Sequence, residues 1–302
     1  MEAPAALGRK PESVEVAIIQ NAPRKGRYAE NLHRFGEAFA QLRERPPDLV
    51  VLPEAAFTGY FLEGAVYDLA LSAPGFAHDL VCAWREGCGC APVDLVAGFY
   101  ENCEGTYYNS ALYVHVEAET FRIVHVHRKM FLPTYGVFDE ERFLSRGRRL
   151  RAFKTAFGTA AMLICEDVWH AIVPTIAAVK GARLLFVPSA APGRGIEGDF
   201  ELTSIGRWRE ILRATAAEHG IFIVYAGLSG FEGGKGMTGS SCIVDPRGEM
   251  VVQAPALGEC IVRASIDLSE VDLARAGLPL LGDLASVLPD LLLDEELHAP
   301  HY

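Results

Sequence analysis

No apolar run in this chain of 302 residues approaches the roughly 18 consecutive residues that a membrane-spanning helix needs. Half of the residues are nevertheless hydrophobic, which is enough to bury a large core. The first residues, 1–13, also lack the apolar segment of a secretory signal peptide, and they predict a flexible lead-in. We therefore expect a cytoplasmic protein without a membrane partner.

The chain has no excess of positive charge, because 28 lysines and arginines stand against 39 acidic residues and give a net charge of −11. Such a balance argues against a nucleic-acid partner. The seven cysteines form an odd set, and with no signal peptide they indicate reduced thiols. Four of them lie within one segment, but their spacing is poor for a zinc site and predicts no metal: Cys82, Cys88, Cys90 and Cys103.

The hydrophobic pattern predicts an α/β domain at 14–270, made of two halves with the same order of elements. The first half has predicted strands at 14–20, 49–53, 93–100, 107–116 and 121–129, with helices at 27–45 and 76–86 and a long loop at 131–149. The second half has predicted strands at 160–164, 184–187, 221–226, 240–244, 249–253 and 259–267, with helices at 171–180 and 201–219. The leucine-rich segment 271–302 is interpreted as a C-terminal extension that either covers part of the core or contacts a second subunit.

Three predicted strands each end in one chemically capable residue, namely Glu54, Lys129 and Cys165. A strand end places a side chain in a cleft while the sheet keeps it rigid. Cys165 stands at a predicted turn into a helix that opens with Glu166, where the helix dipole favours a thiolate. A base, a cation and a nucleophile are together the parts that acyl transfer needs.

The residues around these positions resemble three motif blocks of the nitrilase superfamily of carbon–nitrogen hydrolases. The blocks are Leu52-Pro53-Glu54 with Thr58-Gly59-Tyr60, then His127-Arg128-Lys129-Met130-Phe131-Leu132-Pro133, then Leu163-Ile164-Cys165-Glu166-Asp167. Within the superfamily, the segments 132–140 and 165–169 are most similar to the glutaminase domain of glutamine-dependent NAD synthetases. The resemblance implies a four-layer αββα sandwich that dimerises into an αββα–αββα core.

The resemblance also implies the role of each residue. Glu54 is expected to be the general base, Cys165 the nucleophile, and Lys129 the cation that stabilises the oxyanion. A second glutamate that positions substrate and catalytic groups falls at Glu140, with Glu141 as the alternative register. The substrate contacts predicted in this way are Tyr60, Tyr135, Glu166, Ser189 and Arg194.

Other patterns in the chain permit rival interpretations. His170 follows Cys165 by five residues, which on a helix directs it elsewhere, so a Cys–His dyad is disfavoured. His127 is interpreted as a structural histidine, with a place beside the site as the alternative. The string at 193–198 fits a G-x-G-x-x-G pattern but lacks the surrounding dinucleotide-binding unit, and we interpret it as a pocket loop. The glycine-rich string at 233–236 misses a phosphate-binding loop in spacing and composition.

The leading functional hypothesis is hydrolysis of a small carboxamide through a cysteine thioester, without a cofactor, by a homodimer or higher homo-oligomer. A glutaminase subunit that feeds ammonia to a separate synthetase is the second hypothesis, since the sequence shows no S-G-G-x-D-S-type pyrophosphate loop. The third is a binding protein that keeps the fold. The presence of Glu54, Lys129 and Cys165 together disfavours that last possibility.

Overall fold

The structure is a computed structural model that describes residues 13–197 and 201–294, apart from the side chains of residues 196, 197 and 201. The first half contains strands β1 (Ser13–Gln20), β2 (Leu49–Val51), β3 (Val93–Cys103), β4 (Thr106–Val116) and β5 (Phe121–Arg128), and helices α1 (Tyr28–Ala40), α2 (Val66–Leu69) and α3 (Ala73–Cys88). The second half contains strands β6 (Ala152–Thr155), β7 (Gly158–Met162), β8 (Leu184–Ser189), β9 (Ile196–Glu197), β10 (Glu201–Leu202), β11 (Phe222–Gly227), β12 (Ser229–Glu232), β13 (Lys235–Thr238), β14 (Cys242–Val244), β15 (Met250–Gln253) and β16 (Cys260–Asp267), and helices α4 (Ile172–Val179), α5 (Thr203–His219), α6 (Ser269–Gly277) and α7 (Leu280–Leu292). Short 3₁₀ helices lie at Glu63–Ala65, Glu140–Arg142 and Cys165–Trp169.

Two six-stranded sheets form the framework, in the orders β16-β1-β2-β3-β4-β5 and β15-β14-β11-β8-β7-β6. Each sheet has three parallel strands at its centre, β1-β2-β3 in the first and β7-β8-β11 in the second. Antiparallel strands extend each sheet on both sides. This repetition is the structural form of the two similar halves that the sequence predicts.

The central strands are mostly apolar because both of their faces are largely buried. In β1, Val16 and Ile18 pack in the core between the two sheets, while Ala17 and Ile19 face the helices outside. On that outer side, Phe39 of α1 and Trp84 of α3 meet edge to face, with ring centroids 5.3 Å apart. Each such side chain contributes about 1.5–3 kcal/mol through burial. The result is a mixed α/β fold with two facing sheets and helices on the outer faces.

Several predicted boundaries are wrong, each for a local reason. Helix α1 ends at Ala40 and not at residue 45, because the backbone N–H groups of Leu42 and Arg45 bond three residues back and close tighter turns. Helix α5 begins at Thr203, and not at residue 201, because residues 201–202 pair with β9.

The glycine-rich string at 233–236 lies in the β12–β13 hairpin, where Gly233 and Gly234 adopt positive φ angles of 57° and 78°.

The C-terminal segment forms α6 and α7, and α6 starts at Ser269, inside the predicted catalytic domain. Its Val271 is fully buried in the core between the sheets, whereas α7 has no buried residue. Several leucines of this segment are exposed: Leu273, Leu278, Leu280, Leu291, Leu292 and Leu293. The predicted contact with a second subunit stays a prediction, and residues 1–12 and 295–302 lie outside the described part.

Within the described residues, no helix has both the length and the apolar character required to cross a bilayer. The predicted cytoplasmic location stays a prediction.

The loop that positions Glu54 passes very close to Gly98 of β3. A Cβ atom at position 98 would lie 2.5 Å from the Glu54 Cα and 2.6 Å from the Pro53 oxygen. We expect Gly98→Ala to lower the free energy of unfolding by about 1–3 kcal/mol, because the added methyl group overpacks this contact. Urea unfolding measures the effect.

Gly64→Ala is the matched control, since a Cβ at position 64 meets no atom within 4 Å. Equal free energies of unfolding for the two variants would show that the loop before Glu54 moves away from the added methyl group without a loss of stability.

Candidate active site

Cys165 lies at a sharp elbow after β7. Its φ angle is +46°, a region that non-glycine residues rarely adopt and that costs roughly 1–3 kcal/mol. The chain then forms the 3₁₀ helix Cys165–Trp169, and α4 starts only at Ile172. The prediction that Glu166 opens a regular helix is therefore wrong. Two hydrogen bonds to Asp167 hold this turn instead. The Asp167 N–H donates to the Ile164 oxygen, and the Asp167 carboxylate accepts from the Ile164 N–H.

The Cys165 thiol is buried, with 8% of the residue exposed, and it lies at the inner wall of a cavity. Burial raises the pKa of this thiol far above its ordinary value, and the Glu54 carboxylate raises it further. Lys129, the Ser189 hydroxyl and the Ala190 N–H oppose the rise without overcoming it. The prediction that the elbow favours a thiolate is thus wrong for the free site. The thiol is protonated at neutral pH and needs a base to become a nucleophile.

Lys129 follows β5 and is completely buried between two carboxylates. Its Nζ donates to Glu54 Oε1 at 2.8 Å and to Glu140 Oε1 at 2.7 Å. Burial alone would lower the pKa of Lys129, but the charges of Glu140 and Glu54 outweigh it and raise that pKa well above the ordinary value. The ammonium is therefore a permanent cation at the centre of the site.

Glu54 follows β2, and every hydrogen bond to its carboxylate comes from a fixed donor. Besides Lys129, the Asn109 side chain donates to Oε1 at 2.7 Å and the Ala190 N–H donates to Oε2 at 2.6 Å. The donors belong to both sheets, since Asn109 lies in β4 and Ala190 directly follows β8. Sequence reasoning missed Asn109, because nothing in its surroundings marks it as different from other strand residues.

The structure distinguishes Glu140 from its neighbour. Glu140 is buried against Lys129, whereas Glu141 is exposed. Burial raises the pKa of Glu140 to about 7, with Lys129 opposing the rise and Glu54 adding to it. The Tyr60 hydroxyl donates to Glu140 Oε1, while Glu140 Oε2 is buried without a hydrogen-bond partner among the described residues. Near neutral pH this carboxyl group exchanges a proton and keeps the buried cluster close to electrically neutral.

Asp167 joins the nucleophile elbow to the segment that follows Lys129. Its Oδ1 accepts from the N–H groups of Met130 and Phe131 at 2.9 and 3.0 Å. Its Oδ2 accepts from the Ile164 N–H at 3.0 Å and lies 2.9 Å from His127 Nε2. Asp167 and His127 are both buried. The sequence placed Asp167 in a motif without a role, and the structure shows that it connects the segment after Lys129 to the turn at Cys165.

The cavity in front of Cys165 has a volume of about 470 Å³. Its walls include three of the residues predicted to contact substrate: Tyr135, Glu166 and Arg194. The Tyr135 hydroxyl donates to Glu166 at 2.9 Å, and the Arg194 guanidinium lies over the rings of Tyr135 and Phe138. Sequence reasoning missed Arg207, Trp169 and Trp208, which complete the walls.

The other two predicted contacts lie deeper in the protein. Tyr60 is buried beside Glu140, and Ser189 is fully buried near the Cys165 thiol. Direct contact of either side chain with a substrate stays a prediction. The loop at 193–195 contributes Arg194 and Gly195 to the cavity, in agreement with its interpretation as a pocket loop, and Gly198 lies outside the described residues.

His170 does not face Cys165. Its ring stacks on Phe131, with centroids 3.6 Å apart, and its Nε2 lies 3.9 Å from the Glu166 carboxylate. This position disfavours a Cys–His dyad, as the spacing predicts. Among the described residues, no group of three or more His, Cys, Asp or Glu side chains is arranged to bind a metal ion.

The fold defines a known structural class of mixed α/β proteins with two packed sheets. A carbon-nitrogen hydrolase from Helicobacter pylori is similar, with a TM-score of 0.80 and 26% identity, and the match covers 94% of this chain and 99% of that one. A family model described as "Carbon-nitrogen hydrolase" matches residues 15–276. The chain therefore belongs to the carbon-nitrogen hydrolase family, whose members hydrolyse carbon–nitrogen bonds, and the resemblance found in the sequence is confirmed.

Two curated relatives differ in length. The glutamine-dependent NAD(+) synthetase of Rhodobacter capsulatus is 30% identical over 263 residues, which cover 85% of this chain and 44% of that protein. The citrullinase of Francisella tularensis is 23% identical over 271 residues, which cover 87% of this chain and 92% of that protein. The chain thus spans less than half of the synthetase and nearly all of the citrullinase.

The four hydrogen bonds at Asp167 generate a stability prediction. In Asp167→Asn, an amide NH₂ group replaces one oxygen and faces two donors. We expect the free energy of unfolding to fall by about 2–3 kcal/mol, because buried donors lose their acceptor. Urea unfolding of wild type and variant measures the difference.

Asp139→Asn is the control, since Asp139 is exposed on the nearby loop and pairs with the exposed Arg142 at 3.6 Å. A loss at position 167 no larger than the loss at position 139 would contradict the proposed tie between the two segments.

Proposed function

We propose that the protein hydrolyses a small carboxamide to a carboxylate and ammonia through a thioester on Cys165. The observation that carries the proposal is the buried ammonium of Lys129, bonded to Glu54 and Glu140 at 2.8 and 2.7 Å, beside a strained and buried cysteine. Membership of the carbon-nitrogen hydrolase family supports the same reaction class.

In the first half-reaction, Glu54 accepts the Cys165 proton as the sulfur attacks the amide carbon. This transfer is necessary because the pKa of the buried thiol is raised. The carbonyl oxygen gains negative charge, which the Lys129 ammonium and the backbone N–H of Glu166 stabilise. The carbon–nitrogen bond then breaks, Glu54 returns the proton to the nitrogen, and ammonia leaves the thioester behind.

In the second half-reaction, Glu54 accepts a proton from water as the water oxygen attacks the thioester carbon. The carbon–sulfur bond breaks, the proton returns to the Cys165 sulfur, and the carboxylic acid product leaves. Glu54 suits both proton transfers because its donors hold it in one position. Asn109 and Lys129 act as positioning groups for this carboxylate.

Substitutions at the three strand-end residues test the mechanism. Cys165→Ala should abolish turnover, because no thioester can form. Glu54→Gln should reduce kcat by about 10²–10⁴-fold, since the amide cannot accept the thiol proton. Lys129→Met should reduce kcat by about 10²–10³-fold through loss of oxyanion stabilisation. Steady-state kinetics with a confirmed amide substrate measures each factor.

Cys242→Ala is the matched control, because Cys242 is equally buried but lies in β14 within the core. Its turnover should stay close to that of the wild type. Full activity of Cys165→Ala would refute the thioester mechanism, and a loss below tenfold at Glu54 or Lys129 would assign that residue a structural role.

The walls of the cavity favour an amide that also bears a carboxylate and an amino group. Arg194 presents a planar guanidinium suited to bidentate binding of a carboxylate, and Glu166 presents a carboxylate suited to an ammonium group. Arg207 adds a second cation to the same walls. Two relatives are named for glutamine and citrulline, which are both amino acids with a terminal NH₂–C=O group. We therefore infer glutamine or a close analogue as the substrate class.

This inference predicts a difference between two substrates. Wild type should release ammonia from glutamine with a kcat/KM at least about tenfold higher than from a neutral amide of equal length, because an ion pair to Arg194 is worth about that much. Arg194→Ala should lose this preference and leave the neutral amide unaffected. A coupled ammonia assay measures both rates.

Arg142→Ala is the control for removal of an exposed positive charge from the neighbouring loop, since Arg142 does not line this cavity. Equal rates on both substrates, unchanged in Arg194→Ala, would contradict recognition of a carboxylate.

A glutaminase that supplies ammonia to a synthetase is the second candidate. The observation in its favour is the match to 44% of the R. capsulatus synthetase, a protein that is named for its use of glutamine. Turnover of glutamine by the isolated chain at a rate comparable to that of other amidases favours free-standing hydrolysis. Turnover that appears only when a synthetase is added favours the second candidate.

A further inference from the structure

A second cavity, of about 590 Å³, lies along β5, and we call it the arginine groove. Its walls contain five arginines and a histidine: Arg128, Arg146, Arg148, Arg149, Arg151 and His125. The groove and the cavity in front of Cys165 share no lining residue. It is therefore a separate candidate site, which the proposed hydrolysis does not use.

The arginine groove concentrates positive charge in a protein whose net charge is −11. Arg128 is neutralised, because it donates two hydrogen bonds to Glu101 at 2.7 Å. The other four arginines are exposed, and none of them has an ion-pair partner within the described ranges 13–197 and 201–294. The described lining of the groove also includes no Asp or Glu. Four unbalanced guanidinium groups thus converge on one concave surface.

The backbone that presents these arginines is tightly held. The Gly147 N–H donates to the Lys129 oxygen at 2.7 Å, and the Ser145 N–H donates to the Tyr107 oxygen at 2.8 Å. A Cβ atom at position 147 would overlap the Arg128 carbonyl oxygen, so only glycine permits this approach. Leu150, between two of the arginines, is buried in the core. The groove is therefore preorganised, which lowers the cost of binding a ligand.

His125 provides an unsatisfied polar atom in the same groove. Its ring packs on Phe153, with centroids 4.7 Å apart, and its Nε2 is buried without a hydrogen-bond partner among the described residues. Burial, with the nearby charges of His127 and Arg151, lowers the pKa of His125 to about 4. The imidazole is neutral at pH 7, so it adds no charge to the groove.

We propose that the arginine groove is a binding site for a small molecule with two or more phosphate groups. Guanidinium groups match phosphate oxygens in pairs, and several of them suit a ligand with several negative charges. A concave volume of about 590 Å³ lies within the range of small-molecule sites, roughly 300–1,000 Å³, and favours a compact ligand over an extended polymer. The groove lies directly behind the backbone of Lys129.

Binding of inorganic tripolyphosphate tests the proposal without reference to catalysis. Isothermal titration calorimetry at constant ionic strength compares three proteins: wild type, Arg148→Ala/Arg149→Ala, and Arg27→Ala/Arg45→Ala. The last removes the same charge from exposed positions outside the groove. We expect the Kd to rise at least about tenfold in the groove variant, because charge-assisted hydrogen bonds are lost, and to stay unchanged in the control.

Each other outcome overturns the proposal. Equal affinity in all three proteins would indicate that tripolyphosphate binds nonspecifically to positive charge on the protein surface. No binding at millimolar tripolyphosphate would indicate that the arginines of the groove are exposed to solvent and bind no ligand. Citrate or a short DNA duplex that binds more tightly than tripolyphosphate would exclude a site built for phosphate groups on a small molecule.

Discussion

Burial of the Lys129 ammonium between Glu54 and Glu140 is the interaction on which the site depends. A buried charge without partners would cost several kcal/mol, so each carboxylate depends on the Lys129 ammonium, and the ammonium depends on the two carboxylates. Removing one partner of such a pair typically costs about 3–5 kcal/mol. In the proposed mechanism the same arrangement also serves the chemistry, since a fixed cation lies beside the carboxylate that acts as base and both lie beside the thiol. Stability and reactivity therefore have one physical origin here.

This cluster can form only because the two sheets meet at their strand ends. Glu54 and Lys129 follow strands of the first sheet, and Cys165 follows a strand of the second. Asp167 spans the junction with hydrogen bonds to both sides, and the Ala190 N–H reaches Glu54 from the second sheet. The strained φ angle of Cys165 is maintained by these contacts, as strained residues at functional sites generally are. The repeated half-fold thus brings together residues that lie more than a hundred positions apart.

Charge is unevenly distributed over this acidic protein. Arg194 and Arg207 line the cavity in front of Cys165, and the arginine groove contains four further unbalanced cations. A negative overall charge reduces nonspecific contact with nucleic acid and membranes, while local positive sites can still attract small anions. Selectivity for anionic ligands therefore requires concave sites, where several guanidinium groups act on one molecule.

The sequence by itself predicted the class of fold and pointed to Glu54, Lys129 and Cys165 as the residues of the candidate site. Buried apolar strands leave a strong pattern, and Glu54 and Cys165 each come shortly after one, whereas Lys129 directly follows β5, most of which is only partly buried. Only the tertiary structure decided the protonation state of the Cys165 thiol, because the pKa of this thiol depends on burial and on Glu54, which is distant in sequence. It also decided between Glu140 and Glu141. Asn109 and Asp167 could not be predicted, because their roles arise from hydrogen bonds across strands and between sheets, which leave no periodic signal in the chain.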